Sequence, residues 1–142
     1  MSSSLLKLRA KDAEDVQVVS AVLQDSIVPV CDIAYEKDAG TFMFVAQRFR
    51  REASGSTERI CCALTITGVL AAHTNKIDLG DSEAMLDLLA IILEPMDCLT
   101  FVFAGGAQIR LDLGSWDAVL EDFGQPWPAL CHPCHDSTGK GV

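Results

Sequence analysis

The sequence predicts a single α+β domain dominated by antiparallel strands, and three observations carry that reading. From residue 27 onward, apolar and β-branched residues alternate in short runs separated by turn residues, the period-2 pattern of strands. Helix start and stop signals mark two stretches, one before those runs and one after them. No strand–helix–strand alternation recurs, which excludes a doubly wound parallel sheet.

Residues 5–9, LLKLR, read as a short edge strand. Asp12 then offers a helix cap, with Asp15 three positions on and Glu14 adding negative charge to the first turn. Val16, Val19, Val22 and Leu23 follow at helical spacing, so the helix ends near Gln24 and Asp25. Residues 27–35 form a strand whose Pro29 sits near its start, where proline is tolerated. A turn at residues 37–40 leads into a second strand over 41–50, and a Ser/Gly loop follows at 51–57. Residues 58–74 are too long for one ordinary strand, and Gly68 divides them into two. After a polar loop at 76–83, Met85, Leu88, Leu89 and Ile92 fit a helical stripe, yet the run is short and Pro95 stops it. Its neighbours assign it to a strand: residues 98–103 alternate, Gly105-Gly106 signals a two-residue hairpin, and Ile109, Leu111 and Leu113 alternate back. Ser115 caps a closing helix over residues 115–123, with Asp117 in its first turn and Gly124 just past its end.

Seven strands between Ile27 and Leu113, followed by a helix, are the count and order of a pleckstrin-homology-like barrel. A plain antiparallel sheet with helices on one face is the alternative. The single domain spans residues 5–128, and residues 129–142, with Gly139 and Gly141, read as a mobile tail.

Composition narrows the function. The 142-residue chain is 49% hydrophobic and 22% charged, which suits a packed domain and excludes a disordered one. A net charge of −9 disfavours nucleic acid, which is bound by matching phosphates with Lys and Arg, and equally an anionic membrane surface. No stretch approaches the roughly 20 apolar residues of a membrane span. The N-terminus lacks the basic start and apolar run of a secretory signal, so a cytoplasmic location is expected. In a reducing compartment thiols stay free, and Cys31, Cys61, Cys62 and Cys98 lie in apolar runs as small packing residues.

Several segments in order resemble a bacterial family of uncharacterised proteins, domain of unknown function 2948. They are LKLRAKDAEDVQVVSAVLQDSIVPVCDIAY, QRFRRE, LLAIILEP, LTFVFAGGAQIRLDL and LEDFGQPWPA, covering roughly residues 6–129. The first short motif departs from the family's usual NRFRWE, with Gln47 for Asn and Arg51 for Trp. The resemblance implies a fold and a compartment and brings no activity.

Arg48, Phe49, Arg50 and Arg51 are the one basic concentration in this acidic chain, with Arg59 opposite on the next strand. Arg48 and Arg50 share a strand face, and guanidinium forks can hold phosphate or carboxylate bidentately. The competing reading pairs these arginines with Glu52, Glu58 or Asp32 on a solvated face. Trp127, between Pro126 and Pro128, either covers a barrel mouth or sheet edge or anchors a partner. Cys131, His132, Cys134 and His135 match the C-x-x-C-H spacing of haem attachment and form a legal tetrahedral zinc set. Crowded into five positions beyond the family-like region, they read as a tail instead, with no metal and no cofactor. No phosphate loop, nucleophile elbow or H-E-x-x-H motif is present. The expectation is a non-catalytic binding or assembly module with a protein partner, a homodimer included. The alternative is a small-molecule enzyme or sensor holding an anionic ligand with Arg48 and Arg50.

Overall fold

In the computed structural model, residues 5–51 and 57–123 are described. β1 (Lys7–Ala10) leads into α1 (Ala13–Leu23), where the Asp12 carboxylate accepts the Asp15 N–H at 2.9 Å, as its position predicts. Val16, Val19 and Leu23 bury the apolar stripe of α1. β2 (Ile27–Pro29) and β3 (Ile33–Glu36) flank a single 3-10 turn at Val30–Asp32. β4 (Thr41–Arg51) and the 19-residue β5 (Thr57–Asn75) follow. β6 (Met85–Glu94), β7 (Cys98–Phe103) and β8 (Gln108–Asp122) are the last elements among the described residues.

Every pairing is antiparallel. The strands run β8-β5-β4-β2-β6-β7, and β7 pairs again with β8, so six strands close into a barrel. Two more strands extend it. β1 takes over from β7 along the second half of β8, and β3 takes over from β2 along the first residues of β4. Closure removes the open edges that a flat sheet would leave. Phe42, Phe44 and Phe101 fill the interior with ring centroids 5.5–6.2 Å apart, and Leu23 of α1 joins them in one core.

The strand at Met85–Glu94 agrees with the sequence reading. Three expectations need correction. Residues 115–123 form no helix: they continue β8 through Asp122, pairing with both β1 and β5. The residues 58–74 are not divided, because Gly68 bends β5 without ending it; its φ is +81° and the register with β8 shifts there. Conversely, residues 27–35 are interrupted at the 3-10 turn. The result is a six-stranded closed barrel with two added strands and one helix, rather than a seven-stranded barrel with a closing helix or an open sheet.

Candidate functional site

Strand parity places Arg48 on the face of β4 that carries Ala46 and Phe44, which is the inside of the barrel. β4 lies beside β5, where Cys62 faces Ala46, and Cys62 in turn faces Asp122 on β8. Arg48 reaches across β5 to that carboxylate. Its Nε donates to Asp122 Oδ1 at 2.9 Å and its Nη2 to Oδ2 at 2.7 Å, a bidentate fork, while Nη1 donates to the Phe49 carbonyl at 3.2 Å. The Leu6 N–H also donates to Oδ2 at 2.9 Å, and the Asp122 N–H returns a bond to the Leu6 carbonyl. The two side chains are 9% and 0% exposed. The Asp122 hydrogen bond raises the Arg48 pKa above its ordinary value against the opposing effect of burial. The carboxylate that holds Arg48 is therefore Asp122, which the sequence reading did not name.

Cys62 lies beside this pair. Burial, then the Asp122 charge, push its thiol from an ordinary 9.0 up to about 12, and it donates weakly to the Ala46 carbonyl at 3.6 Å. A proton held in the fold but released by the unfolded chain makes stability fall as pH rises. Between pH 9.0 and about 12 this thiol therefore contributes a loss of about 1.4 kcal/mol per pH unit. Denaturant melts across that window should show a shallower decline for Cys62→Ala than for the parent. Identical slopes would mean the thiol is not buried.

The other sequence candidates separate. Arg59 lies on the outer surface, its guanidinium carbon 3.9 Å from the Phe49 ring centroid and its Nη1 donating to the Gln47 carbonyl at 3.0 Å. The structure therefore turns Arg48 inward and Arg59 outward. The Arg50 and Arg51 side chains, Trp127, Cys131, His132, Cys134 and His135 lie outside the described residues. Cys61, Cys62 and Cys98 are thiols outside any disulfide, as expected. Cys31 is disulfide-bonded, so the expectation of a free packing thiol fails there. It sits half-buried in the 3-10 turn between β2 and β3 rather than inside a strand. Among the described residues, no group of three His, Cys, Asp or Glu could hold a metal ion. Among them also, no helix is long and apolar enough to cross a membrane.

A different surface emerges where α1 lies against β6. The Ser20 hydroxyl accepts the Ile91 N–H at 2.9 Å, which shows that Ile91 turns its backbone away from β7 and toward the helix. In an antiparallel ladder this orientation alternates, so Leu93 does the same, and its N–H and C=O face α1. On either side of the Ser20–Ile91 bond the groove opens into a recess. One, of about 300 Å³, is lined by Gln17, Ser20, Ala21, Gln24 and Leu89 to Ile91. The other, of about 180 Å³, is lined by Ala13, Val16, Gln17 and Ile91 to Leu93. Leu89 and Ile92, at 42% and 44% exposure, stand beside them. No sequence motif marks this groove. Ser20, a polar residue within the apolar half of α1, was the one local signal of it.

No curated protein and no solved structure matches the chain. The family model for proteins of unknown function DUF2948 matches residues 6–135. That match runs past residue 129, so the Cys/His stretch through His135 lies within the matched region rather than beyond it. The chain therefore belongs to the family of proteins of unknown function DUF2948.

Proposed function

We propose that the domain is a non-catalytic binding or assembly module that docks a protein partner in the groove between α1 and β6. The observation that supports this is the coincidence of two features in one place. Leu93 offers a strand edge, and the exposed Leu89 and Ile92 border two recesses there. Uncovered strand edges and apolar patches are features that proteins otherwise avoid, and together they mark interaction surfaces. The rival reading, an anionic ligand held by Arg48 and Arg50, has a physical obstacle. Arg48 would have to leave Asp122, and breaking a buried pair costs about 3–5 kcal/mol.

A photo-crosslinking residue at Ala21, inside the groove, should give adducts in native lysate that the same residue at Leu70, exposed on β5, does not give. A phosphate or carboxylate metabolite that stabilises the protein by about 2.7 kcal/mol at 100 times its dissociation constant, with no Ala21 adduct, would instead support the ligand reading.

A further inference from the structure

We infer that the occupant of this groove is an extended polypeptide segment with two apolar side chains flanked by Lys or Arg, an inference that rests on the docking reading above. Shape gives the first half. The two recesses are adjacent and share Gln17 and Ile91, with the Ser20–Ile91 bond between them. In an extended chain, side chains two positions apart point the same way at about 7 Å, which suits one side chain per recess. The groove also presents what an extended backbone needs: the Leu93 N–H and C=O, and the Gln17 and Gln24 amides, each able to donate and accept.

Charge gives the second half. α1 carries Glu14 and Asp15 and β6 carries Asp87 and Glu94, with Asp12, Asp25 and Asp97 in the segments that flank them. Neither element contains a Lys or Arg; the nearest cation in sequence is Lys11, ahead of the helix cap. Among the described residues, no ion pair engages Glu14, Asp25, Asp87 or Glu94. These carboxylates line neither recess but lie on the elements that form the groove and beside their ends. A partner with basic flanks therefore gains from them and an acidic one is repelled. The same argument disfavours a second copy of a chain whose net charge is −9.

The test uses the full chain and two fluorescein-labelled heptapeptide libraries. Both place apolar residues at the third and fifth positions; one carries Lys or Arg at its ends, the other Glu or Asp. Fluorescence anisotropy should show the basic library binding about tenfold or more tightly than the acidic one, with an affinity that falls as salt rises. Ala21→Trp, which fills one recess from an exposed position, should abolish binding without moving the melting temperature. Asp87→Lys with Glu94→Lys should erase the preference for basic ends. Equal binding of both libraries, lost in Ala21→Trp, would overturn the charge inference and leave the groove standing. Binding indifferent to Ala21→Trp would overturn both. No binding by either library would overturn the peptide inference, and the Ala21 crosslink would then decide the docking reading by itself.

Discussion

Asp122→Ala should lower the stability of the domain by about 3–5 kcal/mol, the largest effect expected of any single change at this end of the barrel. The substitution leaves the Arg48 guanidinium buried with Nε and Nη2 unpaired, and takes from the Leu6 N–H its carboxylate acceptor. A buried charge without its counter-ion bears its full desolvation penalty. For a chain of this size the melting temperature should fall by roughly 10–20 °C. Arg48→Met should be damaging for the same reason in reverse. The double variant Arg48→Met with Asp122→Leu should recover much of the loss, because apolar groups of similar volume often replace a buried pair at little net cost. A thermal melt of all three variants checks this. If Arg48→Met alone leaves the melting temperature unchanged, the guanidinium is available to an external anion, and the ligand reading regains its footing.

Gly68→Ala should be nearly as severe, by about 3 kcal/mol or more. At φ +81° a Cβ would meet the Ser115 carbonyl oxygen at 2.1 Å and the Trp116 Cα at 2.7 Å. Both atoms belong to the backbone of β8, so no side-chain rotation relieves the overlap. The bend lets two long neighbouring strands turn together from one side of the barrel to the other. Gly105→Ala is the control. It has nearly the same φ, +84°, with nothing within 4 Å, so it should lose only the left-handed strain of about 1–2 kcal/mol. Equal losses for the two in chemical denaturation would show that β5 and β8 do not approach so closely.

Much of this architecture is legible in the residues, and the exceptions have physical causes. The strand at Met85–Glu94 was decided by its neighbours, since its own apolar spacing fits both periods. Residues 115–123 misled because Trp116, Val119 and Leu120 sit at helical spacing behind a capping Ser115. The strand alternation Trp116, Ala118, Leu120 ends on Asp122, a charged residue on the buried face. Arg48, 74 positions away, and the Leu6 N–H, 116 positions away, make that placement tolerable, and no local window contains either. Gly68, expected to divide two strands, instead bends one. Whether such a glycine ends a strand or bends it depends on whether the partner strand bends as well. For Arg48 and Arg50, sequence parity fixed that they share a face but not which face is the interior. The groove was invisible for a related reason, since it exists only where a helix near residue 20 meets a strand near residue 91.

The pairing of Leu6 with Asp122 also bears on how the protein is made. A ribosome emitting about 5–20 residues per second needs roughly 4–15 s between Arg48 and Asp122. Throughout that interval β4 and β5 can pair, but the barrel cannot close and Arg48 has no counter-ion. The fold is therefore assembled only after nearly all of it has been synthesised, with apolar strands waiting unpaired. A nascent chain of this kind depends on being shielded while it grows, so the burden of avoiding aggregation falls on synthesis rather than on the finished barrel.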